Sequence, residues 1–281
     1  MLPKRPQDIY KNKCGHVLLL AGSTGLTGAA TLSSEAVLRA GAGMAVLGIP
    51  ESLNVIMEQK LTEVMTLPLP ETNEHTISVK ALEQLGEKLQ WADVLAIGPG
   101  LSTHSETCQL VFELLQKEEK TIILDADGIN CFANNQKRLQ SSPSENIITP
   151  HPGELARLFK WQVKDISNNI IEYVTKAAAE LNVIVVLKTA PTVIASPTGD
   201  VYINSTGNAG MATAGMGDVL TGVIAGLAAQ GMPCLNAAIS GVYLHGFAGD
   251  LAQRHVGEFG MIAGDVLNYI PEALKEIQQR N

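Results

Sequence analysis

A glycine-rich segment in the last third of the chain carries the strongest signal for chemistry. Residues 207–218 read GNAGMATAGMGD, and an apolar helical pattern follows Asp218 at once. Glycines and small residues let the backbone approach a ligand closely, and the N–H groups and dipole at the start of a helix stabilise an anion. We therefore expect an anion hole made by the amides of Gly215, Met216 and Gly217.

Asp218 ends this segment and admits two interpretations. It can cap the helix that follows, which is a common stabilising role for aspartate. It can also be a general base beside the anion hole, where it would deprotonate a substrate hydroxyl that attacks a phosphoryl group. The run of glycines and small residues before it favours the catalytic role.

A second candidate cluster is Thr149–Glu154, with the sequence TPHPGE, between a predicted strand and a predicted helix. Such a position lies at the carboxyl edge of the sheet, where open α/β sheets bind ligands. His151 and Glu154 can be a loop histidine and a first-turn acid with no further role. Glu154 can instead hold Mg²⁺ through water, since Mg²⁺ keeps several waters and needs few direct carboxylates.

Lys188 ends a strongly apolar predicted strand, Val183–Leu187. A lysine in this place can extend its ammonium group from the sheet edge into solvent. It can also neutralise a nucleotide phosphate, which a lysine binds as a point charge. Both roles stay open at this stage.

Three further turns follow predicted strands and carry acids or glycines. Asp125 and Asp127 can bind a metal or orient a hydroxyl, although Asp127 can instead cap the next helix. Gly98–Gly100 can be a simple strand-to-helix turn. Gly22–Gly28 lacks the lysine of a Walker motif and the spacing of a dinucleotide loop, so we interpret it as a substrate-side loop near Ala40 or a structural turn.

The elements that must position these residues alternate between short apolar runs and longer helical patterns. The predicted strands are His16–Ala21, Met44–Ile49, Val64–Leu67, Ala92–Ile97, Thr121–Leu124, Asn146–Thr149 and Val183–Leu187. The predicted helices between them are Thr27–Ala40, Val79–Leu89, Glu106–Gln116, Gly153–Phe159 and Ser167–Leu181, while 68–76 reads as a surface loop. This alternation predicts an α/β fold, with a mostly parallel sheet covered by helices on both faces.

The pattern changes after Lys188. Thr192–Ala195 and Val201–Asn204 flank a turn-rich stretch and predict a hairpin. Three predicted helices follow, namely Asp218–Ala229, Leu235–Gln253 and Ile262–Gln278. The chain shows no internal repeat, so we expect one domain over 1–281.

Composition and charge exclude several classes of protein. The formal net charge is −8, and no stretch gathers lysines and arginines. A nucleic-acid-binding protein normally shows a basic stripe, so we expect no nucleic-acid partner. The longest apolar stretches, Val17–Ala21 and Val219–Ala229, are too short or too interrupted by glycine to span a bilayer, so we expect no membrane contact.

The cysteines and the N-terminus indicate a reducing compartment. The 4 cysteines form no Cys-x-x-Cys pair, and we expect free thiols at Cys14, Cys108, Cys131 and Cys234. Met1–Lys13 is polar and lacks the apolar core of a secretory signal. These features predict a cytoplasmic protein.

Several of these motifs together resemble a known family. The segment NAGMATAGMGDVLTG from Asn208 to Gly222 is similar to the signature of the NAD(P)H-hydrate dehydratases, a branch of the ribokinase-like superfamily. The same resemblance includes TPHPGE, AIGPGL at 96–101, LDAD at 124–127 and LRAGAGM at 38–44, all in the expected order. The family more often has proline where Ala209 stands, and glycine where Thr189 stands. The resemblance implies a ribokinase-like three-layer α/β/α sandwich.

The resemblance also assigns residues to ligands. It implies that the hydrated nicotinamide substrate is bound by Ala40, Gly100, His151 and Asp218. Asn208, which begins the signature segment, is a further candidate site residue without an assigned ligand. It implies that ADP or AMP is bound by Gly217 and by Lys188, Thr189, Ala190, Pro191 and Thr192. Glu154 stands where related kinases hold Mg²⁺, often through water.

The reaction that the resemblance implies is the repair of hydrated NADH and NADPH. ADP or ATP would phosphorylate the C6 hydroxyl of the S-epimer, and loss of phosphate would restore the ring, giving AMP and phosphate from ADP. Bacterial relatives tend to use ADP. The alternatives are a small-alcohol kinase, such as a hydroxymethylpyrimidine or hydroxyethylthiazole kinase, and a non-catalytic nucleotide sensor.

Two expectations concern partners. Many family members carry an N-terminal epimerase domain, and the first predicted strand of this chain begins at His16. We therefore expect a dehydratase without that domain, linked in function to a separate epimerase. Relatives also suggest a homo-oligomer, with a tetramer as one form.

Overall fold

The computed structural model describes residue 6 and residues 8–279 of the chain. Within them the chain forms one sheet of nine strands. In chain order the strands are β1 His16–Leu20, β2 Met44–Pro50, β3 Met65–Leu69, β4 Val94–Ile97, β5 Ile122–Leu124, β6 Ile147–Ile148, β7 Ile184–Leu187, β8 Val193–Ala195 and β9 Val201–Ile203.

Helices connect most of these strands. In chain order they are α1 Thr27–Arg39, α2 Asn54–Lys60, α3 Ala81–Trp91, α4 Ser105–Lys117, α5 Asp127–Asn130, α6 Lys137–Gln140, α7 Pro152–Phe159, α8 Val163–Asn168, α9 Ile170–Leu181, α10 Met216–Ala229, α11 Cys234–Val256 and α12 Ala263–Gln279. Three short 3₁₀ turns are also present, at Lys11–Lys13, Glu51–Leu53 and Ala209–Met211.

The strand order in the sheet is β3-β2-β1-β4-β5-β6-β7-β8-β9. Strands β1 to β7 run parallel, and the hairpin of β8 and β9 adds two antiparallel strands at one edge. The chain moves from β1 towards β3 and then returns to place β4 on the other side of β1. The loops after β1 and β4 therefore diverge at a topological switch point, which is the usual ligand site of an open α/β sheet.

The sheet separates two hydrophobic cores. In β1, Val17 and Leu19 point into one core with α1, α2, α10, α11 and α12. Leu18 and Leu20 point into the other core, which α3 to α9 cover. Successive strand residues face opposite sides, so strands buried on both faces read as continuous apolar runs. The predicted mostly parallel α/β/α arrangement and the predicted hairpin are confirmed.

Helices α1 and α10 pack closely because α10 carries glycines at the contact. A Cβ atom on Gly222 would lie 2.1 Å from the carbonyl oxygen of Ser33, and one on Gly226 would lie 2.6 Å from that of Val37. Any larger residue at these two positions would separate the helices. The contact fixes the position of α10, whose first turn contains Asp218.

Several predicted elements differ from the structure. The predicted helix Ser167–Leu181 falls on two helices, because Asn169 has non-helical backbone dihedrals (φ −137°, ψ 52°) and separates α8 from α9. Helix α2 was not predicted, since only Met57 of its residues is buried and no long apolar stripe marks it. The strand predicted at Val64–Leu67 continues to Leu69 and so takes in part of the predicted loop.

The prediction of free thiols at all cysteines is wrong for one pair. Cys108 on α4 and Cys131 after α5 form a disulfide across a sequence separation of 23 residues, while Cys14 and Cys234 are free and buried. Sequence spacing does not reveal this pairing, because the packing of α4 against the segment after α5 brings the two sulfurs together. In the polar N-terminal segment Met1–Lys13, residues 1–5 and 7 lie outside the described residues.

Across residues 8–279, no helical segment combines the length and the apolar character that crossing a lipid bilayer requires.

Candidate active site

Four charged side chains meet at the carboxyl edge of the sheet, and we name them the acid–lysine cluster: Asp125, Glu154, Lys188 and Asp218. Asp125 follows β5, Glu154 lies in the first turn of α7, Lys188 follows β7, and Asp218 lies in the first turn of α10. The Lys188 Nζ lies 2.6 Å from Asp125 Oδ1 and 3.8 Å from Glu154 Oε2. Parallel strands bring these residues together because their carboxyl ends share one edge.

Asp125 is held on two sides. Its Oδ1 accepts a hydrogen bond from the Lys188 ammonium and another, of 2.8 Å, from the Thr149 hydroxyl. The residue is 1% exposed, so its carboxylate depends on these partners rather than on water. The sequence left metal binding and hydroxyl orientation open for Asp125, and both stay predictions; in this structure its carboxylate pairs with Lys188.

Burial and the neighbouring charges together change the pKa values of Lys188 and Glu154. Burial alone would lower the pKa of Lys188, but the nearby carboxylates of Asp125 and Glu154 outweigh it and raise that pKa. Burial raises the pKa of Glu154, and the Asp125 charge adds to the effect against the opposing Lys188. The Lys188 ammonium therefore stays charged, while Glu154 keeps its proton to a higher pH than an ordinary glutamate.

Asp218 is affected most. Burial, with smaller contributions from Asp125 and Glu154 and against the opposing Lys188, raises its pKa to about 7. A general base works best when its pKa is near the operating pH. The structure also corrects the capping interpretation: Gly215 occupies the N-cap position of α10, and Asp218 lies inside the first turn.

The start of α10 presents backbone amides close to the lysine. Gly215 has a φ of +90°, a left-handed conformation that favours glycine, and among the described residues no side chain caps the helix. A Cβ atom on Gly217 would lie 3.2 Å from Lys188 Nζ, so a glycine here keeps the first turn close to the ammonium. Amides, helix dipole and lysine together form a positive environment for an anion.

His151 and Glu154 form a reciprocal cap at the start of α7. The His151 Nδ1 accepts from the backbone N–H groups of Gly153 (3.0 Å) and Glu154 (3.3 Å), and the Glu154 Oε2 accepts from the His151 N–H at 2.7 Å. Such a capping box stabilises a helix N-terminus. The two residues therefore have a structural role, and they also lie beside Lys188 and the cavity described next.

A large cavity of about 890 Å³ opens between this edge and α11. The whole predicted nucleotide segment Lys188–Thr192 lines it, together with Gly217, Asn208 and His151. The turn Thr189–Thr192 is stiffened by its own hydroxyls, since Thr189 Oγ1 donates to the Pro191 carbonyl and Thr192 Oγ1 donates to the Thr189 carbonyl. We name this space the large cavity.

A second, more polar space of about 380 Å³ lies at the switch point, and we name it the small cavity. It is lined by hydroxyl and acidic side chains, including Ser23, Thr24, Ser102 and Asp127. Asp127 Oδ2 accepts from the Ser102 N–H at 2.9 Å. The side chain of Asp127 does not cap α5, whose N-cap position is Ala126, so the predicted capping role is wrong.

The two glycine turns at the switch point hold each other. Gly22 N–H donates to the Pro99 carbonyl at 2.9 Å, and Ser23 Oγ donates to the Gly100 carbonyl at 2.8 Å. Gly100 has a φ of +63°, and a Cβ atom there would lie 2.8 Å from the Cβ of Leu26. The close approach at Gly100 is therefore to the loop after β1.

Ala40 is not brought to the cluster. It follows the C-terminal end of α1 and packs against Gly226, whose Cβ would lie 2.9 Å from that of Ala40. Gly226 is in the third turn of α10, whereas Asp218 is in the first. The Gly22–Gly28 loop lies at the opposite end of α1. The prediction that this loop lies near Ala40 is therefore wrong.

His245, on α11, also lines the large cavity, although the sequence did not mark it as a site residue. It is buried in α11, and burial lowers its pKa to about 4. Its Nε2 has no hydrogen-bond partner among the described residues. A polar residue inside the apolar helix pattern was the only sequence signal, because none of the histidines has metal-ligand spacing.

The described residues contain no group of three or more histidine, cysteine, aspartate or glutamate side chains arranged to hold a metal ion. In the acid–lysine cluster, the ammonium of Lys188 occupies the space between Asp125 and Glu154 that a directly bound cation would need. The donor set fits a cation that keeps its water shell and takes its other ligands from phosphates.

Comparison with known proteins gives a consistent result. The model of the NAD(P)H-hydrate dehydratase family matches residues 17–272. The bifunctional NAD(P)H-hydrate repair enzyme Nnr of Moorella thermoacetica is 47% identical over 278 residues, which are 99% of this chain and 52% of that protein. The chain thus spans about half the length of the curated relatives it matches.

Solved structures agree with this result. The ADP/ATP-dependent NAD(P)H-hydrate dehydratase of Bacillus subtilis, co-crystallised with ATP and Mg²⁺, superposes with a TM-score of 0.83 at 29% identity, covering 98% of this chain and 94% of that one. A ribokinase-like superfamily protein of Enterococcus faecalis gives a TM-score of 0.83 at 26% identity, covering 98% and 92%. The fold is therefore the ribokinase-like three-layer sandwich.

Proposed function

Because this chain belongs to the NAD(P)H-hydrate dehydratase family, we propose that it is an ADP- or ATP-dependent hydro-lyase that restores NADH and NADPH from their 6-hydroxy hydrates. The hydrate is an alcohol, and hydroxide is a poor leaving group. Phosphorylation of the C6 oxygen solves this problem, because phosphate leaves readily with a proton from the neighbouring carbon. With ADP as donor the products are the reduced dinucleotide, AMP and phosphate.

One observation supports this reaction most strongly: Asp218, with a pKa of about 7, lies in the helix turn that also presents the anion-binding amides. In the proposed step, Asp218 takes the proton of the C6 hydroxyl while that oxygen forms a bond to the terminal phosphorus of the nucleotide. The bond from phosphorus to the leaving nucleotide oxygen breaks. The amides of Gly215, Met216 and Gly217 and the charge of Lys188 stabilise the negative charge that develops.

We assign the large cavity to the adenine nucleotide. The segment Lys188–Thr192 and Gly217 line it, which is the set of residues that the family resemblance assigns to the nucleotide. We assign the small cavity to part of the hydrated dinucleotide, with His151 and Gly100 near the path between the two. Asp127 lines the small cavity, and Asp125, two residues before it, belongs to the acid–lysine cluster.

Mg²⁺ belongs to this proposal as a companion of the nucleotide. A metal held by phosphates needs only one protein carboxylate through water, and Glu154 is the candidate. When bound, the ion would neutralise phosphate charge. The Bacillus subtilis relative was co-crystallised with ATP and Mg²⁺, which supports the assignment.

The decisive experiment follows absorbance at 340 nm after the protein meets the S-epimer of hydrated NADH with Mg²⁺ and either ADP or ATP. Recovery of NADH that depends on the nucleotide supports the proposal and identifies the phosphoryl donor. A phosphorylated alcohol without absorbance recovery would indicate a small-alcohol kinase instead. Nucleotide binding without any turnover would indicate a sensor.

Two further proposals concern the partners of the protein, and the 340 nm assay tests the first of them. The R-epimer should be converted at a useful rate only when a separate epimerase is added, which tests the functional link. We also propose a homo-oligomer, with a tetramer as the expected form, and light scattering on the purified protein measures it. Comparison of hydrated NADH and NADPH in the assay measures the preference between them.

A further inference from the structure

The glycine-rich loop, residues 206–215, forms one wall of the large cavity. Met211 packs against the hydrophobic core, but Gly207, Ala209 and the stretch 212–214 are exposed. The shape of the exposed part therefore depends on hydrogen bonds as well as on the packing of Met211.

Asp250, on α11, accepts two of these hydrogen bonds. Its Oδ2 accepts from the backbone N–H of Gly207 at 3.1 Å, and its Oδ1 accepts from Asn208 Nδ2 at 3.0 Å. The Asn208 Oδ1 in turn accepts from the Gly210 N–H at 3.0 Å. One carboxylate therefore orients the Asn208 amide, because only its NH₂ group can donate, and through it holds Gly210.

The surface of α11 is shaped to receive this loop. A Cβ atom on Gly246 would lie 2.3 Å from Thr206 Oγ1, so only glycine leaves room for the threonine there. The Thr206 hydroxyl uses that room to donate to the Tyr243 carbonyl at 2.9 Å. Asp250 and Gly246 are one helical turn apart, so they anchor the start of the loop from the same face.

We propose that Asp250 is a positioning residue for the nucleotide site: it holds the glycine-rich loop in the shape that binds the nucleotide. Asp250 does not line the large cavity, whereas Gly207, Asn208 and Ala209 do, so it acts through the loop. The inference rests on the proposed function and goes beyond it. Loss of Asp250 should weaken nucleotide binding without changing the chemical step.

The test is calorimetric titration of ADP and ATP into the wild type and Asp250→Ala, followed by steady-state kinetics. We expect Kd and KM for the nucleotide to rise about tenfold or more, because hydrogen bonds to a charged acceptor are the stronger kind. At saturating nucleotide, kcat should stay within about threefold, and KM for the hydrated dinucleotide should not change.

Asp93→Ala is the matched control. Asp93 Oδ2 also accepts a backbone hydrogen bond, from His16 N–H at 2.8 Å, but at the start of β1, the opposite edge of the sheet. It should lose comparable stability with unchanged nucleotide affinity. Gly246→Ala gives a second variant in case Asp250→Ala folds poorly: alanine favours the helix but displaces Thr206, so it too should raise the nucleotide KM.

A double-mutant cycle with Asn208→Ala separates the relay from a purely structural role. If Asp250 acts through Asn208, the two losses of affinity should be clearly less than additive. Equal nucleotide affinity in wild type and Asp250→Ala would overturn the inference while leaving the proposed function intact. Failure of the wild type to bind either nucleotide would instead remove the proposed function, and the inference with it.

Discussion

The acid–lysine cluster and the glycine-rich loop adjoin the same cavity but are built in opposite ways. The cluster joins side chains from four separate elements, and it is largely closed off from water, with Asp125 only 1% exposed. The loop is one continuous segment that is exposed at Gly207, at Ala209 and over 212–214, and Asp250 on α11 accepts hydrogen bonds from it. Charge chemistry needs burial to change pKa values, whereas anion binding needs accessible N–H groups.

This contrast predicts that substitutions in the cluster will change turnover, and that substitutions in the loop will change affinity. The largest expected effect is that of Asp218→Asn. The amide cannot take a proton, so kcat should fall by roughly a thousandfold or more, while nucleotide affinity is retained. The 340 nm assay and ADP titration measure the two quantities.

Asp265→Asn is the control for that substitution. Asp265 lies in the first turn of α12, and its Oδ2 accepts from the Ile262 N–H at 2.8 Å. The variant should keep normal turnover. Near-normal turnover in Asp218→Asn would take away its role as the base and erase the distinction between the two regions.

The next effect concerns stability. Lys188→Met leaves the buried acids without their cation, so the free energy of unfolding at pH 8 should fall by roughly 3 kcal/mol. The loss should shrink at pH 5, where Glu154 and Asp218, whose pKa values are raised, can take up protons. Urea unfolding at both pH values measures it.

The exposed pair of Lys117 and Glu113 on α4, 2.8 Å apart, provides the comparison. Lys117→Met should cost less than about 1 kcal/mol, as exposed ion pairs do. Equal costs for the two lysine variants would contradict the view of Lys188 as the charge that holds the cluster together.

The pH dependence of kcat/KM tests whether Asp218 acts in its ionised form. If Asp218 must be ionised, kcat/KM should rise about tenfold per pH unit up to about pH 7 and then level off. Glu154→Gln should move this limb to lower pH, because the Glu154 charge raises the pKa of Asp218. Glutamine can still accept the His151 N–H, so the cap of α7 should survive.

The contribution of Asp218 to stability should change with pH in the opposite direction to its contribution to activity. A carboxyl whose pKa is raised by folding stabilises the folded state below its unfolded pKa, and that contribution is lost as the pH rises through about 7. Asp218→Asn, although inactive, should therefore unfold at higher urea concentration than the wild type at pH 8. A lower midpoint would show that the ionised side chain makes favourable contacts instead.

The smallest expected effect belongs to the loop. Gly215→Ala forces a left-handed φ of +90° on alanine, and the new Cβ would lie 2.6 Å from Leu32 Cδ1. We expect a loss of about 1–2 kcal/mol in stability from the backbone and about tenfold weaker nucleotide binding. The fall of kcat should be much smaller than in Asp218→Asn, because alanine keeps the backbone N–H at position 215. Calorimetric titration and urea unfolding measure the two losses.

Gly199→Ala isolates the backbone cost. Gly199 has a φ of +95° in the turn between β8 and β9, with no atom within 4 Å of the added Cβ. Its stability loss should match the backbone part of the Gly215 effect without any change in affinity. A fall of kcat in Gly215→Ala as large as that of Asp218→Asn would contradict the separation of roles.

The sequence predicted which segments form the two regions but not which side chains meet there. The segment that ends at Asp218 and the segment Lys188–Thr192 were both identified, because glycines before a helix and a lysine after a strand are local signals. The pairing of Lys188 with Asp125 was not foreseen, since the residues are 63 positions apart. The disulfide of Cys108 and Cys131 was not predicted either, because the two cysteines are 23 positions apart.

Other differences came from packing. Ala40 lies in a motif of the family resemblance, but the close contact of α1 with α10 places it against Gly226, away from Asp218. His245 lines the cavity and Asp250 accepts hydrogen bonds from the loop because α11 packs beside both. Their neighbours in sequence are apolar residues of a helix and carry no sign of the ligand.

The sequence alone predicted most of the strands and helices in their order along the chain, the mostly parallel sheet, the hairpin at its edge and the glycine-rich segment that leads into α10. These features follow from periodicity and from glycine conformation, which act over a few residues. Only the tertiary structure decided which acids surround Lys188, and that Asp218 titrates near neutral pH. A pKa depends on burial and on charges that are near in space, and residues distant in the chain supply both.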